Sequence, residues 1–199
     1  MKTALITGAA KGIGRAVALG LAQDGFRIAL HYHTSSEAAE QTVAAIREAG
    51  GKAEPFAADL TVPAEAEELV RRVIGTCGGV HTLVSNAGIL RSQLLALTGL
   101  DTWREVHAAN LDAAFLLTKA LARPMARQRA GRIIYLSSAA GLMGDLLRAA
   151  YSSSKAALFG LAKTAARELA ASGITVNVVA PGIITTDMTA DIPETRRAK

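Results

Sequence analysis

Glycines at 8, 12 and 14 constrain this chain more than any other feature: they follow the apolar run "TALIT" (3–7) and open the helix-like "GRAVALGLA". Glycine tolerates backbone conformations that other residues avoid, and it lets the main chain approach a ligand closely. A helix N-terminus adds unsatisfied amides and the positive end of the helix dipole. Strand, glycine turn and helix start together make a cradle for an anion such as a pyrophosphate. The spacing is G-x-x-x-G-x-G rather than G-x-G-x-x-G, but it makes the same mechanical provision.

The rest of the chain repeats this alternation. Candidate strands are "TALIT" (3–7), "RIALHY" (27–32), "KAEPFAA" (52–58), "VHTLVSN" (80–86), "GRIIYLS" (131–137) and "TVNVVA" (175–180). Helix-like stretches begin near Gly14, Ser35, Ala64, Asp101 and Ala150. Gly25 reads as a helix stop, and Thr34 with Glu37 as a T-x-x-E capping box. Near-continuous apolar strands separated by helices imply an α/β fold: a doubly wound parallel sheet with helices on both faces. Ligands are then expected beyond the carboxyl ends of the strands. The length of 199 residues suits one domain spanning 1–199, without linker or internal repeat. "LDAAFLLTKALA" (111–122) and "AALFGLAKTAARELA" (156–170) are apolar nearly all round, which predicts packing against a second copy of the chain.

Composition excludes several classes. Half the residues are hydrophobic but only 4% aromatic, so the core is aliphatic. Cys77 stands alone, which rules out an intrachain disulfide, fits a reducing compartment and reads as apolar filler. The start "MKTALITGAAKG" lacks a signal-peptide pattern and no apolar run is long enough to cross a bilayer, so a cytoplasmic protein is expected. The net charge of +5 is scattered apart from Arg123, Arg127, Arg129 and Arg132. Without interleaved aromatics or a recognition motif, no nucleic acid is expected. His31 and His33 lack further ligands, so no metal is expected. His81, Trp103 and His107 read as structural or surface residues.

The end of the second strand points to the kind of dinucleotide. An acid there would bind a ribose 2′-hydroxyl, but the chain reads His31, Tyr32, His33, Thr34, Ser35, with no acid before Glu37. Lys11 adds positive charge to the loop. A 2′-phosphate would meet Lys11, His33 and a helix start at Thr34, so NADP(H) is the expected cofactor. Further along, "AAYSSSKAAL" (149–158) puts Tyr151 four residues before Lys155. On a helix these share a face, and the ammonium would favour the phenolate and lower the tyrosine pKa.

Taken together, the glycine loop, "NAG" (86–88), Asn110, Ser138, Y-x-x-x-K (151–155) and "PG" (181–182) resemble the short-chain dehydrogenase/reductase family across essentially the whole chain. The wording "ALITGAAKGIGRAVA", "RIIYLSSAAGLMG" and "VNVVAPGIITTDMT" is most similar to the β-ketoacyl-[acyl-carrier-protein] reductases of bacterial fatty-acid synthesis. The resemblance implies a Rossmann-like fold and reduction of a 3-oxoacyl thioester to its 3-hydroxyacyl product. It implies Tyr151 as general acid, Lys155 as its electrostatic partner and ribose ligand, Ser138 as a hydrogen-bond donor to the carbonyl oxygen, and Asn110 as anchor of a proton-relaying water. Ser137 is the rival for the serine role, and the family spacing of thirteen residues to the tyrosine favours Ser138.

For the cofactor, the resemblance implies contacts from Gly8, Lys11, Gly12, Ile13, Gly14, His33, Thr34, Asp59, Leu60, Asn86, Ala87, Gly88, Tyr151 and Lys155. Pro181, Gly182, Ile184 and Thr186 match the segment that grips the carboxamide. Arg129 matches a basic docking position for an acidic carrier protein, whereas Ser172 stands where a second base is expected. Family members also continue for several dozen residues, with a helix over the substrate and a seventh strand that serves a dimer or tetramer, beyond where "ADIPETRRAK" ends. Two other readings remain open. One is a family enzyme acting on another secondary alcohol, ketone, sugar or quinone, and the other is a catalytically silent NADP-binding regulator or scaffold.

Overall fold

The computed structural model describes residues 1–186. The strands β1 (Thr3–Ile6), β2 (Arg27–Tyr32), β3 (Lys52–Ala57), β4 (Thr82–Ser85), β5 (Gly131–Leu136) and β6 (Ile174–Val179) form one sheet in the order β3-β2-β1-β4-β5-β6. All their pairings are parallel. The order reverses between β1 and β4, so a crevice opens beyond their carboxyl ends, where open α/β sheets bind ligands. The doubly wound expectation therefore holds, and each expected strand lies within a residue or two of its observed counterpart.

Alternation along the strands builds two cores. Ala4 and Ile6 of β1 face a cluster with Ile28, Leu30, Val43 and Ile46, covered by α1 (Gly12–Gln23) and α2 (Ser36–Glu48). Leu5 points the other way, into a cluster with Leu69, Leu83, Leu117 and Leu158 under α3 (Pro63–Cys77), α5 (Ala113–Gln128) and α7 (Ala149–Leu169). This period of two is the pleat of a sheet covered on both faces. Gly25 ends α1 as expected, with φ +82 and its amide on the Ala22 carbonyl.

One expectation needs correction. The capping box at Thr34 does not form: α2 is preceded by Ser35, at φ −87 and ψ 59, with no side-chain cap. That backbone is not the extended form a capping side chain needs, and Glu37 accepts from Gln41 instead. The helical stretch expected from Asp101 begins at Leu100 and runs unbroken, with a π-helical turn inside it. It comprises α4 (Leu100–His107), a π-helical turn over Ala108–Asp112, and α5. In the single chain each of the two apolar helices keeps one exposed flank, the side a second copy would have to cover. The exposed flank of α5 carries Phe115, Lys119, Arg123 and Arg127, and that of α7 carries Ala156, Gly160, Lys163 and Thr164. Alanine and glycine spread around α7 raise its apolar count without making a large hydrophobic face.

Candidate active site

The turn after β1 has the conformation its glycines allow. Gly8 and Gly12 sit at φ +61 and +54. A Cβ on Gly8 would lie 3.0 Å from the Ala87 Cα, and one on Gly14 would lie 2.4 Å from the Gly8 carbonyl oxygen. Lys11 precedes α1 in extended conformation, with no side-chain cap over the first helical amides. The loop thus opens a helix whose first amides the N-cap side chain does not cover, at a point where side chains would not fit, and the donor set suits a pyrophosphate.

Across the crevice, Thr7 and Asn86 tie the ends of β1 and β4 together. The Thr7 hydroxyl accepts from the backbone amides of Asn86 (3.0 Å) and Ala87 (2.9 Å). The Asn86 Nδ2 donates to the carbonyls of Thr7 (2.9 Å) and Gly8 (3.1 Å). Gly8, Lys11, Gly12, Ile13, Asn86 and Ala87 then line one side of a cleft of ≈ 370 Å³, which Gly88, Tyr151, Lys155, Pro181 and Thr186 continue. A neighbouring cleft of ≈ 350 Å³ is lined by Ser138, Tyr151, Gly182 and Ile184, and by Asp145 and Arg148. Tyr151 borders both, so a group in the first cleft and a group in the second can meet at its ring.

The other three candidate residues converge on the same place. Asn110 lies in the π-helical turn and is 2% exposed. Its Oδ1 accepts from the Ile89 amide at 2.7 Å, and its Nδ2 donates to the Ile89 carbonyl and to the Ser154 hydroxyl, each at 3.0 Å. The extra residue of a π turn aims this side chain at the strand ends, a frequent use of such turns. A Cβ on Gly88 would be 2.8 Å from Asn110 Oδ1 and 3.5 Å from Lys155 Nζ. The glycine therefore keeps a small space open between the amide and the ammonium.

Lys155 is buried, and its Nζ donates to the Leu136 carbonyl at 2.7 Å. Burial pulls its pKa down to about 8. The expectation that Lys155 lowers the Tyr151 pKa fails in this state: burial pushes Tyr151 up, and a hydrogen bond with Ser138 pulls against it. Lys155 Nζ stands 5.8 Å from the Tyr151 ring centroid and points at a backbone carbonyl. Sharing a helical face does not bring the two polar ends together.

Both serines follow β5 and border the clefts, but their hydroxyls have different partners. Ser137 is buried and its hydroxyl donates to the Lys155 carbonyl at 2.8 Å, a structural bond within the fold. Ser138 precedes the short helix α6 (Ala139–Met143), and its hydroxyl accepts from the Ala140 amide at 3.2 Å on the cleft side. Of the two, Ser138 is the one whose hydroxyl bears on the Tyr151 phenol.

Among the expected cofactor residues, Leu60 is 6% exposed and packs in the core with Ala66 and Leu69, so its side chain faces away from the cleft. His33 and Asp59 lie together beyond β2 and β3, with His33 Nε2 3.8 Å from Asp59 Oδ2. Hydrogen bonds from the Thr61 hydroxyl and amide hold the Asp59 pKa below its ordinary value. Thr34 accepts the Ser36 amide on its carbonyl. None of these four lines the first cleft, whereas Ser35 does.

Sequence reasoning passed over Thr7, Ser154 and the Asp145–Arg148 pair (2.7 Å). Thr7 ended a strand and Ser154 was one serine of three, so neither carried a signal. Asp145 and Arg148, three residues apart before a helix, carried a weak one. Among the described residues no group of three or more His, Cys, Asp or Glu is placed to hold a metal, and no helix is long and apolar enough to cross a membrane.

A family described as short chain dehydrogenase matches residues 2–197. The chain is 44% identical over 191 residues to a 3-oxoacyl-[acyl-carrier-protein] reductase of Synechocystis, covering 96% of this chain and 77% of that protein. It is 43% identical over 188 residues to the 3-oxoacyl-[acyl-carrier-protein] reductases FabG of Staphylococcus epidermidis and Staphylococcus aureus. These matches cover 94% of this chain and 77% and 76% of theirs.

Proposed function

The chain belongs to the short-chain dehydrogenase family, an oxidoreductase acting at a carbonyl or hydroxyl group with a nicotinamide cofactor, and we propose that it reduces a 3-oxoacyl thioester with NADPH. The observation that carries this reading is the convergence of Tyr151, Ser138, Lys155 and Asn110 where the two clefts meet. In this reading residues 1–199 are a single dinucleotide-binding and catalytic domain.

The first cleft would hold the dinucleotide, with the pyrophosphate at Gly12–Gly14 and the nicotinamide end between Gly88, Lys155 and Pro181. When bound, the cofactor supplies the hydride. Tyr151 does the acid work. Burial keeps its phenol protonated, so the proton is in place for delivery to the carbonyl oxygen of a substrate in the second cleft. Ser138, which lines the second cleft with Tyr151, would turn its hydroxyl to the same oxygen and stabilise negative charge as it develops. Lys155 is held by Leu136 within reach of the space beside Gly88, where a water on Asn110 Oδ1 would pass it protons. Proton transfer of this kind contributes typically about 10²–10⁴-fold.

The same proposal assigns the 2′-phosphate to Lys11 and His33, with Asp59 as the carboxylate that orients the imidazole. It also assigns a homo-oligomer, a dimer or tetramer, and a cytoplasmic location. Arg129, exposed at the end of α5, is the proposed docking residue for an acidic carrier protein. Ser172 in place of a second base favours a free small ketone as the competing substrate. The test is NADPH oxidation followed by absorbance with acetoacetyl thioesters, with NADH and a panel of free ketones in parallel. Turnover with thioester and NADPH supports the proposal. Turnover with free ketones alone reassigns the substrate, and cofactor binding without any turnover favours a silent binder.

A further inference from the structure

His31 lies near the end of β2 and is 2% exposed, behind the glycine loop that lines the first cleft. Its ring bridges two backbone groups on either side of its own strand. Nδ1 lies 3.2 Å from the Gly8 amide nitrogen, and Nε2 lies 3.1 Å from the Ala58 carbonyl oxygen. An amide only donates and a carbonyl only accepts, so the ring is the neutral tautomer with its proton on Nε2. The main chain of the same residue continues the hold, because the His31 carbonyl accepts the Ala9 amide at 2.9 Å. Successive loop amides, at residues 8 and 9, are thus taken by one residue of the neighbouring strand.

Gly8 is the glycine at φ +61, against the Ala87 backbone, and its carbonyl oxygen is held in turn by Asn86. With its amide on His31 and its carbonyl on Asn86, Gly8 is fixed from both sides. We propose that His31 is a positioning residue for the phosphate loop: its imidazole takes the Gly8 amide and sets the curvature of the turn before a dinucleotide arrives. The proposal rests on the cofactor reading of the first cleft. Burial keeps the ring neutral, with a pKa lowered to about 4, so the acceptor at Nδ1 is present at any ordinary working pH. Without that acceptor, a part-buried amide is left unpaired and the loop reorganises to satisfy it. Binding must then reverse that reorganisation, which weakens affinity without removing any direct contact.

Two substitutions separate the acceptor from mere bulk. In His31→Asn the amide oxygen falls near the Nδ1 position and keeps the Gly8 partner. In His31→Gln the longer side chain reaches toward Ala58 and leaves Gly8 without one. NADPH affinity is measured by fluorescence titration of the full 199-residue chain. Hydrogen exchange at the Gly8 amide is measured without cofactor. His31→Gln is expected to bind NADPH roughly tenfold more weakly and to exchange Gly8 at least about tenfold faster. His31→Asn is expected to stay within roughly threefold of the parent in both. Equal behaviour of the two variants, whether both intact or both impaired, overturns the proposal, because the acceptor would then make no difference. If the parent chain binds no nicotinamide dinucleotide, the cofactor reading falls, and Gly8 exchange in the same two variants still decides whether the imidazole holds the loop.

Discussion

Gly14 and Gly20 lie on the same helix, α1, and alanine should act on them with opposite sign. A Cβ at residue 14 would meet the Gly8 carbonyl oxygen at 2.4 Å, Asn86 Nδ2 at 2.6 Å and the Ala9 Cα at 3.0 Å. Two of those atoms are backbone, so relief requires moving the loop by roughly 1 Å away from contacts that are ordinarily about 3.5–4 Å. Overpacking of this kind costs about 1–3 kcal/mol. Displacing the Gly8 carbonyl strains the Asn86 hydrogen bond as well, for about another 1 kcal/mol. The better helix propensity of alanine returns about 1 kcal/mol. Gly14→Ala should therefore lose about 2 kcal/mol net, which lowers Tm by roughly 4–8 °C in a chain of this size. At Gly20 a Cβ meets nothing within 4 Å, so only the propensity gain remains and Tm should rise by roughly 2–4 °C. Thermal unfolding followed by circular dichroism reads both shifts, and NADPH titration should show binding lost in Gly14→Ala alone. A Gly14→Ala protein as stable as the parent and still binding NADPH would refute the close approach of loop and helix.

Other expectations follow from the same geometry. Gly88→Ala inserts a methyl against Asn110 Oδ1, which is pinned by the Ile89 amide. With NADPH and an acetoacetyl thioester its kcat should fall by about 10²-fold; an unchanged kcat would remove Asn110 from the mechanism. Lys155 should leave a signature in the pH dependence of stability. Its pKa is about 8 in the fold against about 10.4 unfolded, so between those values the unfolded chain binds the extra proton. Stability then rises with pH from about 8 towards 10. Above about 10 the raised pKa values of Tyr151 and Tyr135 oppose the rise, because the unfolded phenols ionise first. Denaturant unfolding at several pH values should show the rise in the parent and lose it in Lys155→Met.

The fold was legible because its signals are local. Alternating apolar strands and marked helix ends placed all six described strands within a residue or two. The π-helical turn was not legible, since "HAANLD" carries no periodicity that separates one extra residue from a continuous helix. Around the site, the spacing of Tyr151 and Lys155 correctly put both on one helix, but their relation depends on what else surrounds the ammonium. The Leu136 carbonyl that captures it lies nineteen residues away on another element. Leu60 was assigned by place in the chain, and its side chain packs in the core beside Ala66 and Leu69. Beyond excluding a metal at His31 and His33 the sequence said nothing of His31, and its place beside the loop became visible once Gly8 and Ala58 stood on either side of it.

The central claim is that Tyr151 delivers the proton at the meeting point of the two clefts. Tyr151→Phe tests it most directly, with NADPH oxidation by an acetoacetyl thioester and NADPH affinity measured on the same preparation. The account predicts that turnover falls by at least about 10²-fold while NADPH still binds, because the ring remains and only the hydroxyl is gone. Turnover near that of the parent would contradict it and give the acid role to another group.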